Sequence, residues 1–244
     1  MNNSTYISFG YRCSSAGILK KLQLKQESYP FDWLISTLSV VTDCITNDFC
    51  EFLKTENYVR RHTKTYEMST SKEGFVCDEH ILFNRYYQPS HMLNETNTYQ
   101  YQLAMNHRDI TNPEDYQYLQ RCVERFKELS QSSFPKKYIH ITPLVTLEEY
   151  NGVGVRERYL EKCKHFDDFI CEALKGPISG IIFIMVRSND IEFRMELLSM
   201  QSQTGTRIYV IYTNKDFKDA GETFTGNYHR EQKCMENIIL NSDK

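Results

Sequence analysis

No apolar run in this chain approaches the length that spans a bilayer, and no charged segment followed by an apolar stretch opens it. The sequence therefore predicts neither a membrane helix nor a signal peptide. None of its eight cysteines pairs as C-x-x-C, and no His/Cys/Asp cluster has zinc spacing, so no metal is expected. Gly-x-Gly-x-x-Gly and Walker sequences are absent, and Gly152-Val153-Gly154 is only a faint echo of a phosphate loop, so no cofactor is implied. A basic stripe is missing too: the net charge is −3, with Lys/Arg and Asp/Glu mixed along the chain, which argues against a nucleic-acid partner. Short clusters such as Arg60-Arg61-His62 and Lys136-Lys137 read as solvated surface.

What is present suits one large soluble domain. A chain of 244 residues with 40% apolar content can bury a full core, with residues 1–244 as a single domain carrying an insertion at about 51–112. Cysteines scattered over such a length predict reduced thiols and a cytoplasmic protein. Cys44 and Cys122 fall on apolar helical faces and read as core.

Residues 4 to 50 read as strand, tight turn, helix, turn and second helix. Tyr6, Ile7 and Phe9 extend; Ile18, Leu19 and Leu22 recur at helical spacing, as do Leu34, Leu38, Val41 and Ile45. Residues 51 to 112 lack a long apolar period and read as short strands and functional loops. From Pro113 the pattern changes. Asn112 or Thr111 caps a helix with Pro113 in its first turn. Strand 138–141, a helix over about 156–174, strand 181–186, a helix over about 191–200 and strand 207–212 follow. Alternation of helices with continuously apolar strands predicts an α/β fold, with a mainly parallel central sheet covered by helices on both faces and the opening strand in the same sheet.

The chemistry concentrates near the start. Ser8-Phe9-Gly10 followed by Cys13 places a thiol between a strand and the first turn of a helix, where the helix dipole and backbone N–H groups favour the thiolate. Asp32, in Tyr29-Pro30-Phe31-Asp32-Trp33, reads as the N-cap of a following helix, and Trp33, the only tryptophan, as its anchor against the opening strand; a role facing the pocket is the functional alternative. Among seven histidines, His140 lies in an apolar strand and reads as core, whereas His107 stands in the polar loop Asn106-His107-Arg108-Asp109 before a well-capped helix.

Ser8-Phe9-Gly10, Cys13, the Leu19-to-Leu24 helix and the Tyr29-to-Trp33 block resemble a family of unknown function grouped as papain-like cysteine peptidases (DUF1796), found in bacteria and large DNA viruses. The resemblance covers roughly the first forty residues. It implies a thiol hydrolase using Cys and His, and a papain-like α+β fold as the alternative to α/β. His107 with a nearby acid loosely matches a His-centred motif of that family, although Arg108 separates it from Asp109. The expected set is thus Cys13 as nucleophile, His107 as base and Asp109 as orienter, with Asn189 and Asp190 as alternatives for the third member. Backbone N–H groups of Cys13 and Ser14, with Arg12, would serve the oxyanion. Ser14 or Ser15 as nucleophile is a further option, though both read better as capping hydroxyls. The expected partner is a protein or peptide substrate. A noncatalytic virion-associated or host-interaction protein retaining a hydrolase-like fold is the alternative function, motivated by the 17 tyrosines and the aromatic loop zone 81–101.

Overall fold

The computed structural model describes residues 4–10, 13–67, 75–87, 102–105, 107–142, 145–187, 193–198, 202, 204–213 and 229–242. In chain order the elements are β1 (Thr5–Ser8), α1 (Ser14–Lys21), β2 (Leu34–Ser36), α2 (Leu38–Thr46), α3 (Cys50–Leu53), β3 (Tyr58–Glu67), β4 (Phe75–Asn84) and β5 (Leu103–Met105). They continue with α4 (Pro113–Gln131), β6 (Lys136–Ile141), β7 (Val145–Thr146), α5 (Leu147–Tyr150), α6 (Val155–Ala173), β8 (Ile178–Arg187), β9 (Arg194–Leu198), β10 (Arg207–Thr213) and α7 (His229–Asn241).

The main sheet runs β1-β6-β8-β10-β9, with the short β7 on the end of β8; β1, β6, β8 and β10 are parallel and β9 is antiparallel. Side chains alternate across such a sheet, so a strand buried on both faces must be apolar throughout. Ile139, Ile141, Phe183 and Ile211 point to one face, against Ile18 and Leu19 of α1 and Met235 and Ile239 of α7. Ile7, Phe9, Tyr138, Ile182 and Val210 point to the other, against α2, α4 and α6. This is the expected α/β architecture. Phe9 is fully buried, with ring centroids 6.0 Å from Phe31, 6.1 Å from Phe126, 5.7 Å from Tyr138 and 5.5 Å from Phe166. Such tilted and edge-on pairs each add about 0.5–1.5 kcal/mol beyond burial, and here they hold the end of β1 in place. Gly180 lies under the Tyr138 ring, where any Cβ would run into it.

A second, antiparallel sheet of order β2-β5-β4-β3 takes β3, β4 and β5 from the region read as a loop-rich insertion and β2 from the opening unit. Its β3–β4 pair runs ten residues on each side, a longer ladder than the short strands expected.

Four sequence readings are corrected. Leu34 is not helical: Leu34–Ser36 pairs with Leu103–Met105, and α2 begins after Thr37. Asp32 therefore caps no helix. The helix expected over 191–200 is, within the described residues, the strand β9, whose Arg-Met-Glu-Leu-Leu sequence is held by its ladder with β10 despite helix-favouring residues. Lys136 and Lys137 are buried, not solvated. Lys136 Nζ donates to the carbonyls of Ser132 (2.7 Å), Phe134 (3.0 Å) and Lys175 (2.5 Å), and Lys137 Nζ donates to Ser242 Oγ (2.9 Å). By contrast α4 starts as expected, Asn112 Oδ1 accepting from Glu114 N at 2.9 Å. Cys44 and Cys122 are buried on α2 and α4.

Candidate functional site

The C-terminal end of β1 is stitched to three neighbours. Phe9 N donates to Ile139 O (3.0 Å) and Ile141 N to Gly10 O (3.3 Å), continuing the pairing with β6. Ser15 Oγ donates to Gly10 O (3.1 Å) and lies 2.5 Å from Ser8 Oγ, tying α1 back to its own strand. The Phe9 carbonyl accepts from His140 Nδ1 (3.0 Å) and from Ser36 Oγ (3.4 Å). Gly10 is required twice over: its φ is +81°, and a Cβ there would run into Ser36.

Cys13 follows as the N-cap residue of α1, half-buried, its carbonyl accepting from Gly17 N at 2.8 Å. The first turn of α1 holds no acidic residue to oppose a thiolate, so the dipole acts there unopposed by its own helix. Ser14 is the first helical residue; Arg12, Asn189 and Asp190 lie outside the described residues.

Cys13 and Lys20 are seven residues apart, about two helical turns, and so share one face of α1. Lys20 Nζ stands 5.9 Å from the Trp33 ring centroid, and the Trp33 ring meets the His107 ring edge-on at 6.4 Å. His107, exposed, packs against Trp33 beside Lys20 in the last turn of α1, the end of the helix opposite Cys13. Trp33 thus anchors a loop–helix junction; the helix it was expected to hold is the strand β2.

The loop after His107 is tightly organised. Asp109 Oδ1 accepts from Thr111 N (2.9 Å) and Thr111 Oγ1 (2.5 Å), while Oδ2 pairs with Arg60. Burial alone would raise the Asp109 pKa, but the Thr111 hydrogen bonds and the Arg60 guanidinium outweigh it and hold the carboxyl below its usual value. Arg108 pairs with Asp115 at 2.7 Å and lies over the Tyr118 ring. The contacts described for Asp109 therefore shape the loop.

Asp32 is fully buried, accepting from Tyr29 N (2.7 Å) and pairing with Lys25 Nζ (2.7 Å). Burial pushes its pKa up to about 6 even though the Lys25 ammonium pulls it down. It closes the loop between α1 and β2 on itself, which favours the structural reading. Of the other thiols, burial pushes Cys44 and Cys163 up to about 12, and Cys50 is exposed at the start of α3.

One feature escaped the sequence reading. His140 is buried as expected of a core histidine, yet it also floors a cleft of about 610 Å³ between α2 and α6, bordered by Thr37, Leu38, Ser39, Lys162 and Phe166. Its position at the carboxyl end of a parallel strand was the available signal, since that is where α/β sheets place ligands.

Comparison with known proteins adds one match. Residues 4–208 match the family model described as "Putative papain-like cysteine peptidase (DUF1796)". No curated protein and no solved structure matches the chain.

Proposed function

The chain belongs to that family, and on this premise we propose that it is a cysteine hydrolase, a peptidase or isopeptidase working by thiolate acyl transfer. Cys13 gives its thiol proton to His107, the Sγ thiolate attacks the substrate carbonyl carbon, and the backbone N–H groups of Cys13 and Ser14 stabilise the oxyanion. His107 gives a proton to the leaving amine as the C–N bond breaks, leaving a thioester. It then takes a proton from water, whose oxygen attacks the thioester carbon; the C–S bond breaks, the acid departs, and His107 returns the proton to the Cys13 sulfur. Asp109 holds the histidine loop in shape through Thr111 and Arg60.

The observation that carries this reading is the partly exposed Cys13 at the head of α1, in a chain of this family. Partial exposure is what a thiol needs to meet a substrate, whereas Cys44, Cys122 and Cys163 are sealed in the core. Brief treatment with dilute iodoacetamide at neutral pH, followed by peptide mass mapping, is the direct check. Cys13 is expected to be labelled before the more exposed Cys50, and His107→Ala to slow Cys13 selectively. Labelling led by Cys50, with Cys13 inert, would sink the proposal.

A further inference from the structure

The cleft between α2 and α6 has chemistry that the hydrolase reading does not use. Its floor, His140, is only 1% exposed, and its Nδ1 sits 3.0 Å from the Phe9 carbonyl. A carbonyl only accepts, so the ring proton is on Nδ1 and Nε2 presents a lone pair. Burial pushes the His140 pKa down to about 4, leaving the ring neutral near pH 7. Among the described residues nothing hydrogen-bonds Nε2, so the ring offers an open acceptor at the floor of the cleft.

The walls offer the opposite chemistry. Thr37, at the N-cap of the nine-residue α2, turns its hydroxyl to Ser39 Oγ (3.0 Å), and among the described residues no side chain caps the helix. The first-turn N–H groups at the positive end of α2 are therefore left to whatever enters. Lys162 and His165 stand on the facing α6 wall. Among the described residues the one carboxylate bordering the cleft, Asp43, accepts from Asn47 Nδ2 at 2.8 Å, and the buried Cys163 thiol is kept neutral by its raised pKa.

Donors on the walls select an oxyanion; a lone pair on the floor selects one that still carries a proton. We infer that this cleft binds a phosphate-class oxyanion, inorganic phosphate or a phosphomonoester, with a P–OH donating to His140 Nε2 and the other oxygens on the α2 N–H groups and Lys162. The cavity is far larger than a bare phosphate, and Leu38, Tyr159 and Phe166 give an apolar wall for the organic part of an ester. This goes beyond the hydrolase reading and does not depend on Cys13.

Isothermal titration near pH 6, where phosphate monoanions are abundant, tests it with inorganic phosphate, phenyl phosphate and sulfate at matched ionic strength. Both phosphates are expected to bind at least about tenfold more tightly than sulfate, which has no proton to donate. Tighter binding of phenyl phosphate identifies an ester ligand, and equal affinity identifies free phosphate. His140→Asn keeps an N–H for the Phe9 carbonyl and removes the ring acceptor; it is expected to abolish the preference over sulfate. Lys162→Ala, which leaves the floor intact, is expected to weaken phosphate binding by about tenfold. Equal affinity for sulfate and phosphate in the unaltered protein, absence of phosphate binding, or an unchanged affinity in Lys162→Ala would each overturn the assignment.

Discussion

Lys25→Met is expected to lower the unfolding free energy by about 3–5 kcal/mol, because it strands a buried carboxylate without its cation. The Lys25 and Asp32 side chains are 5% and 0% exposed, and the ammonium also lies 4.8 Å from the Tyr29 ring centroid. Water cannot replace the lost partner at such a site. Urea unfolding at pH 7 measures the loss, and Lys25→Met combined with Asp32→Asn should recover part of it by removing both charges. The pH dependence has a definite sign. Asp32 titrates at about 6 in the folded chain against 3.8 as its ordinary value, so between those values the folded state holds more protons than the unfolded one. The stability this group contributes is therefore full below about pH 4 and is lost as the pH rises toward 6. Without Lys25 the carboxyl loses its main charge-stabilising neighbour, and the decline should extend above pH 6. A Lys25→Met protein as stable as the original would show that the pair is dispensable.

Asp167→Ala is expected to cost a similar amount, about 3–5 kcal/mol, for a different reason: four hydroxyls lose their common acceptor. Asp167, fully buried on α6, accepts at Oδ1 from Tyr138 OH (2.9 Å), Thr204 Oγ1 (2.6 Å) and Thr206 Oγ1 (2.5 Å), and at Oδ2 from Ser202 Oγ (2.5 Å). The network fastens α6 to the segment entering β10 and to the centre of β6. Asp167→Asn keeps one carbonyl acceptor but puts an amide where hydroxyls donate, so it should fall between the alanine variant and the original. Denaturant midpoints rank the three, and an alanine variant within about 0.5 kcal/mol of the original would contradict the network's role.

The parallel strands were legible because burial on both faces forces an unbroken apolar run, as in Ile181-Ile182-Phe183-Ile184-Met185-Val186, which no loop or exposed strand requires. Leu34–Ser36 was not, because three residues carry too little periodicity to separate a strand from the start of α2. Neither was Arg194–Leu198, where pairing with β10 overrides local propensity. Lys136 misled because charge suggests solvent, yet its ammonium is satisfied by three carbonyls near the end of α4 and the loop after α6, a pattern visible only in three dimensions. The setting of Cys13, a strand end followed by a helix start, was legible because it is local. Asp109 stands close to His107 in sequence, but its described bonds run to Thr111 and Arg60, so sequence proximity alone did not reveal how its carboxylate is used.

The ionisation of Cys13 is the central claim, and the pH profile of its alkylation rate tests it most directly. The expected profile has its midpoint clearly below the ordinary cysteine value of about 8.5, moving upward in His107→Ala. A midpoint at or above about 8.5 that His107→Ala leaves unchanged would contradict the account.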